Sequence, residues 1–157
     1  GAKLYRRSLY VYWKRTSPHP MMTLFDAPSR EAACVRRSRT NTPLQSLGLL
    51  NEPQRIETAR KLAERLLREE DDRDHRLDLL FRLLASRPPK TPERAACAQL
   101  LETQLARYGA EGAEADALAL LATGDAPRDP NLNPAELAAW TQLAGTVLAG
   151  DLAILLY

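Results

Sequence analysis

The chain is poor in the residues from which metal and cofactor sites are usually built. Its 157 residues include two cysteines and two histidines. Cys34 and Cys97 are too few for a disulfide framework, and a single pairing between them is neither required nor excluded. Zinc needs about four ligands, and neither these cysteines nor His19 and His75 have a typical spacing. Because a Cys-x-x-Cys-His haem-attachment motif is also missing, we expect no metal and no cofactor in this chain.

Patterned glycines and long apolar runs are missing as well. The seven glycines do not form a phosphate-binding loop, and no serine lies in a Gly-x-Ser-x-Gly elbow. Ser17, Ser29, His19 and Asp26 are residue types of a catalytic triad, but such common residues often share a loop by chance, and we predict no catalytic residue. No apolar run approaches the roughly 18 residues of a membrane span. Residues 1–7 lack the apolar core of a signal peptide.

What the sequence does contain is an uneven distribution of charge. Residues 1–40 carry nine Lys or Arg side chains against Asp26 and Glu31, a balance of +7. The remaining residues carry 13 positive and 18 negative side chains, a balance of −5. We therefore predict two parts, a basic aromatic arm and loop over residues 1–40 and a helical body over residues 41–157. The arm is expected to pack on the body, on missing upstream modules or on an anionic partner.

The arm itself is predicted to be extended. Residues 4–15, LYRRSLYVYWKR, are rich in Tyr, Val and Trp, which favour strands. A helical alternative stacks Leu9, Tyr12 and Trp13 at positions i, i+3 and i+4, so both conformations stay open, with the extended one preferred. Pro18 and Pro20 prevent regular hydrogen bonding in the loop that follows.

From residue 40 onward the pattern is helical. Thr42, Thr91 and Asn133 each precede a proline, a combination typical of a helix N-cap followed by Pro at the first helical position. Trp140 lies on the apolar face of the last helix. The apolar faces need one another for burial, which predicts a mainly α fold, an irregular bundle of about six helices preceded by the extended or short β arm. The predicted helices cover residues 43–50, 52–69, 74–85, 91–108, 114–121 and a last stretch that begins at Asn133-Pro134.

The candidate binding site is basic. It consists of four arginines and an asparagine close together in sequence, Arg30, Arg36, Arg37, Arg39 and Asn41. Guanidinium groups make bidentate contacts with carboxylate, phosphate or sulfate, and the predicted helix start at residue 43 adds backbone amides. In the alternative interpretation, the last three arginines pair with Asp26, Glu31 and the acidic body and hold a loop in place.

Aromatic residues of the arm extend this basic segment. Tyr12 and Trp13 lie among Arg and Lys side chains, a composition that suits stacking on single-stranded nucleic acid or on sugar rings. The same residues fit a sheet element that belongs to a larger chain. Nucleic acid therefore stays an alternative partner.

Several phrases of the sequence point to a family. RRSLY-x-x-WKR, FDAP-x-RE, VRR-x-RTNTPLQ-x-L-x-LLN and LLASRPPKTPE follow one another, densely over residues 5–55 and more loosely over 80–93. With these phrases the chain resembles the planctomycete-type C-terminal domain of unknown function called PSD1. The resemblance implies a large exported chain, in the periplasm or at the cell surface, whose upstream modules include a c-type cytochrome that holds haem. It implies no activity, so no catalytic residue is carried over.

The sequence thus leads to a non-catalytic interaction or scaffold domain of an exported multidomain protein. It would dock a module of its own parent chain or an anionic polysaccharide, with the arginines as anchor and Tyr12 and Trp13 as stacking surface. The second hypothesis is part of a polysaccharide-acting or redox enzyme whose site is completed by absent modules, with Asp26, Arg37 and Asn41 lining a cleft. Nucleic-acid binding is the third.

Overall fold

The computed structural model describes residues 5–6, 8–14 and 16–154. Over these residues the fold is mainly α-helical, with eight α-helices and no strand. The prediction of a mainly α fold is confirmed, and two short helices join the six that were predicted. The helices are α1 (Pro20–Leu24), α2 (Pro43–Asn51), α3 (Pro53–Glu69), α4 (Arg73–Ala85), α5 (Thr91–Tyr108), α6 (Glu114–Leu121), α7 (Pro134–Leu148) and α8 (Asp151–Ile154).

The prediction of a short β N-terminal arm is wrong. Ser8–Tyr10 form a short 3-10 helix, and residues 12–14 are irregular; Leu4, Arg7 and Arg15 lie outside the described residues. A strand needs a partner for its backbone N–H and C=O groups, and no strand is present in the described part of the chain to provide one. The strand propensity of Tyr, Val and Trp depends on such packing.

Helix α1 was not predicted because prolines surround it. Pro20 occupies the first helical position, where its missing N–H is no loss and its fixed φ is favourable. The helix ends in a Schellman motif: Ala27 N donates to Met22 O at 2.9 Å and Asp26 N donates to Thr23 O at 3.3 Å. Asp26 has a φ of 57°, the left-handed conformation that this motif requires and that Asp tolerates better than most residues.

The chain divides into two compact units, residues 1–48 and 49–157, hereafter the N-terminal unit and the C-terminal unit. Among the described residues of the N-terminal unit, Gln45 alone has a fully buried side chain. The C-terminal unit contains a hydrophobic core of leucines, alanines and aromatic residues from α3 to α7. Burial of apolar side chains therefore stabilises mainly the C-terminal unit.

Helix α7 is the centre of the C-terminal unit and packs against α3, α5 and α6. It begins as the sequence predicts: the Asn133 side chain accepts hydrogen bonds from the backbone N–H groups of Ala135 and Glu136, at 2.9 and 3.1 Å, and Pro134 is the first helical residue. Trp140 is 1% exposed, which confirms its predicted place in the core.

The N-cap of α5 lies one residue earlier than predicted. Thr91 is the first helical residue and Lys90 is the N-cap. The Glu93 carboxylate accepts from the Lys90 backbone N–H at 2.7 Å and from two guanidinium nitrogens of Arg87 at 2.6 and 2.7 Å. The Arg87 guanidinium and the Lys90 N–H together lower the pKa of Glu93 from 4.5 to about 2.

Because the folded-state pKa of Glu93 is the lower one, its ionised form stabilises the fold above pH 4.5, and this stability is lost as the pH falls toward 2. The side chain is 26% exposed, so solvent screening reduces the contribution to about 1–2 kcal/mol. We expect Glu93→Gln to lower the free energy of unfolding by this amount at pH 7 and by much less at pH 2.5, measured by urea unfolding. Glu102→Gln is the control, since the Glu102 side chain, paired with Arg73, is 69% exposed; an equal loss in both variants would contradict the prediction.

Candidate binding surface of the N-terminal unit

The two phrases FDAP (residues 25–28) and RTNTPLQ (residues 39–45) lie against each other in the N-terminal unit. The Asp26 carboxylate accepts from the Thr40 backbone N–H at 2.7 Å and from the Thr40 hydroxyl at 2.8 Å. Asp26 follows the end of α1 in the left-handed conformation and begins the loop that leads to Thr40. Asp26 and Thr40 therefore close the segment between them, which contains the predicted arginines.

Gln45 joins the end of α1 to the start of α2. Its side-chain amide donates to the Leu24 carbonyl at 2.9 Å and to the Thr40 hydroxyl at 3.0 Å, and its oxygen accepts from the Thr42 N–H at 3.1 Å. These bonds satisfy a carbonyl at one helix end and an N–H at the other, groups that have no partner within their own helices. Gly48 lets the helices approach, because a Cβ there would lie 2.5 Å from Leu24 Cδ2.

Arg37 holds the same loop in place, so its guanidinium is already bonded within the protein. Its guanidinium donates to the backbone carbonyls of Phe25 and Asp26, at 3.3 and 3.4 Å. The alternative interpretation expected the three arginines to pair with Asp26, Glu31 and the acidic body; Arg37 does contact Asp26, but through the backbone carbonyl, while Thr40 donates to the carboxylate. Arg37 is thus a positioning residue of the surface.

Arg30 and Trp13 are brought together although they are far apart in sequence. The Arg30 guanidinium carbon lies 5.3 Å from the centroid of the Trp13 ring, a cation–π contact worth about 0.5–1 kcal/mol at an exposed site. Arg30 has a φ of 64°. The Trp13 indole Nε1 is buried and has no hydrogen-bond partner within the described residues. Arg30 covers one face of Trp13, so Tyr12, which is exposed, is the more accessible ring for stacking.

Arg36, Arg39 and Asn41 are exposed. Across the described ranges, the guanidinium groups of Arg36 and Arg39 make no hydrogen bond or ion pair, and Glu31 makes no ion pair with either. The pairing expected in the alternative interpretation is therefore not observed for these two arginines. They are cations whose charge has no protein counterion in this part of the chain.

The arginines of the C-terminal unit are different, because most of them pair with acids. Seven of them form ion pairs with carboxylates, namely Arg60, Arg65, Arg68, Arg73, Arg76, Arg87 and Arg94. The contrast follows from composition, since the N-terminal unit has two acids for nine cations and Thr40 occupies one of them, Asp26. Exposed arginines without an ion pair among the described residues also occur in the C-terminal unit, for example Arg55 and Arg82, but these two lie far apart in sequence, whereas Arg36 and Arg39 are three residues apart.

The residues considered for catalysis or metal binding make local contacts or lie apart from one another among the described residues. The Ser29 hydroxyl accepts from the Glu31 N–H at 3.3 Å, and the Asp26 carboxylate accepts from Thr40; within the described residues neither side chain is bonded to His19. Cys34 is exposed and Cys97 is buried, both as free thiols, and burial raises the pKa of Cys97. In the part of the chain that the structure describes, no three metal-ligating side chains are grouped. None of the helices traced there is both long and apolar enough to cross a bilayer.

The structural roles of Thr40 and Gln45 were not predicted, although a signal for Gln45 was present. Thr42 followed by Gln45 three residues later is the pattern of a capping box, and Gln45 does accept from the Thr42 N–H. The contact between Asp26 and Thr40 spans 14 residues and leaves no local pattern.

Comparison with known proteins supplies one match. The family model of PSD1, described as a protein of unknown function (DUF1553), matches residues 1–101. No curated protein and no solved structure matches the chain. The matched region contains every residue of the surface described above, from Tyr12 to Gln45, and continues into α5. Since it covers well over half of the 157 residues, the chain belongs to the PSD1 family.

Proposed function

We propose that the chain is a non-catalytic interaction domain that binds an anionic partner through the N-terminal unit, in an exported protein of the kind the family resemblance implies. One observation carries the proposal: Arg36 and Arg39 are exposed and have no counterion among the described residues, whereas most arginines of the C-terminal unit are paired with carboxylates. Arg30, held over Trp13, adds a third cation. The partner is a surface rich in carboxylate or sulfate, on another module of the parent chain or on an anionic polysaccharide.

The tethers of the N-terminal unit support this role. Asp26, Thr40, Arg37 and Gln45 fix the backbone on both sides of the arginines. A loop that is ordered before binding loses less conformational entropy when it binds. Guanidinium groups favour planar oxyanions because their N–H donors match two acceptor oxygens at once. The surface is therefore suited to repeated carboxylate or sulfate groups.

The enzymatic hypothesis gains no support from this arrangement. It assigns Asp26, Arg37 and Asn41 to the lining of a cleft whose site is completed by absent modules. The Asp26 carboxylate instead accepts two hydrogen bonds from Thr40, and Arg37 donates to backbone carbonyls. Both side chains are used to hold the loop.

Retention on heparin-agarose, a sulfated polysaccharide matrix, tests the proposal. We expect Arg36→Ala/Arg39→Ala to elute at clearly lower salt than the parent chain, with about tenfold weaker binding, because two exposed charged contacts at about 0.5–1 kcal/mol each are lost. The control is Arg55→Ala/Arg82→Ala, which removes the same charge from exposed positions of the C-terminal unit. Circular dichroism should be unchanged in both. Equal elution of the two double variants would reject the N-terminal unit as the binding surface.

A further inference from the structure

Exposed apolar side chains are concentrated in the N-terminal unit. Of the eleven large apolar side chains that the described residues leave exposed, eight belong to residues 1–48, less than a third of the chain. Apolar side chains that are exposed next to one another on a folded chain are typical of an interaction site. The eight are Tyr5, Leu9, Tyr10, Val11, Tyr12, Val35, Leu44 and Leu47.

Helix α2 carries two of these side chains on a regular helix of nine residues. Leu44 and Leu47 are 61% and 56% exposed, and residues three apart lie on one face of a helix. Gln45 and Gly48 of the same helix are turned toward α1. Rotation of α2 to bury the leucines would break the hydrogen bonds of Gln45 with Leu24 and Thr40. The structure therefore fixes this leucine face outward.

The charges nearest to the leucine face indicate its partner, since Arg39 adjoins Thr40, whose hydroxyl accepts from the Gln45 side chain next to Leu44. Residues 40–51 carry no charged side chain, and the segment directly before them carries Arg36 and Arg39, both uncompensated. An apolar ridge with a cationic border is complementary to an apolar ridge with an anionic border. Aliphatic side chains gain most by burial against other apolar side chains, which favours a protein surface over a sugar polymer.

A second copy of this chain fits the face less well. Two N-terminal units that met through α2 would bring together two regions with a balance of +7 each, and like charges repel. The occupant is therefore acidic and different from this surface.

We infer that the leucine face of α2 is the docking site for a protein partner that presents an apolar helix bordered by carboxylates. The inference rests on the proposed function and deepens it, because the arginines supply the electrostatic part and Leu44 and Leu47 the apolar part. Leucine burial contributes affinity, and the arginines contribute orientation and association rate.

The probe is a labelled synthetic helical peptide of about 18 residues, about five turns, with leucines on one face and glutamates beside them. We expect the full chain to bind it, and Leu44→Ser/Leu47→Ser to weaken binding at least tenfold, measured by fluorescence anisotropy. The control, Leu83→Ser/Leu118→Ser, changes two exposed leucines of the C-terminal unit and should leave binding unchanged. A peptide with serines in place of leucines, or lysines in place of glutamates, should not bind.

The outcomes separate this inference from the proposed function. If Leu44→Ser/Leu47→Ser binds the peptide as tightly as the parent chain, the docking site is wrong, whatever the heparin result. Loss of a concentration-dependent dimer in the same variant, seen by analytical ultracentrifugation, would assign the face to a second copy and also overturn the inference. If heparin retention instead proves independent of Arg36 and Arg39, the proposed function is wrong, whatever the result with the peptide. Retention of Leu44→Ser/Leu47→Ser on heparin should equal that of the parent chain.

Discussion

Replacement of Trp140 by Ala is expected to lower the free energy of unfolding of the C-terminal unit by about 3–5 kcal/mol. Trp140 is 1% exposed and lies in the middle of α7, the helix that packs on α3, α5 and α6. The Arg76 guanidinium carbon lies 5.8 Å from the centroid of the Trp140 ring. The change leaves a large cavity that well-packed neighbours can fill only in part. A whole domain is commonly stable by about 5–15 kcal/mol, so the expected loss is a large fraction of the total stability.

The second tryptophan provides a matched control. Trp13 belongs to the N-terminal unit, is only half-buried and contacts Arg30. We expect Trp13→Ala to change the urea midpoint of the C-terminal unit little, whereas Trp140→Ala lowers it strongly and lowers Tm by about 10–15 °C. Each variant retains one tryptophan, so fluorescence reports the environment of the other. A loss below about 1 kcal/mol in Trp140→Ala would show that the ring is not part of the core.

Most helices could be predicted because their limits are encoded locally. Helix α6 has the predicted bounds, and α3, α5 and α7 begin within one residue of theirs, since a proline at the first turn and an Asn cap act within a few residues. The conformation of the arm could not be predicted in this way. Whether Tyr- and Val-rich segments become strands depends on a neighbouring strand, which a local pattern does not reveal.

The arginine surface was predictable in composition but not in arrangement. The density of Arg30, Arg36 and Arg39 is visible in the sequence, while the role of Arg37 as a tether depends on two carbonyls eleven and twelve residues away. The pairing of Arg30 with Trp13 likewise joins distant segments. The exposure of Leu44 follows from the hydrogen bonds of Gln45, since periodicity alone does not say which face of α2 is covered.

Helix α3 contains charged residues where an apolar face would be expected. Arg60 and Glu64 are both 1% exposed, and Arg60 Nη1 lies 3.6 Å from Glu64 Oε1. Arg60 also donates to the Ala126 carbonyl at 2.6 Å, and Glu64 accepts from the Asp129 N–H at 3.3 Å. These partners are more than sixty residues away, in the loop between α6 and α7, so the sequence pattern of α3 does not reveal them. The buried pair therefore attaches that loop to α3.

Removal of one charge from the buried Arg60–Glu64 pair should strongly lower the free energy of unfolding. Glu64→Gln keeps the size of the side chain but leaves the Arg60 guanidinium buried without its counterion, and a broken buried pair destabilises a protein by about 3–5 kcal/mol. Lys61 also contacts Glu64, at 2.8 Å, and is partly exposed, so the loss of that contact adds little. We expect a loss of about 3 kcal/mol in urea unfolding at pH 7.

Two further variants distinguish a buried charge effect from a general effect of substitution on α3. Glu69→Gln removes the partner of Arg65 from an exposed pair, with side chains 45% and 51% exposed, and should cost less than about 0.5 kcal/mol. Arg60→Met/Glu64→Leu replaces the whole buried pair with apolar side chains and should recover at least half of the loss, because no uncompensated charge remains. If the double variant is less stable than Glu64→Gln, the hydrogen bonds to Ala126 and Asp129, rather than the charge balance, hold the loop on α3.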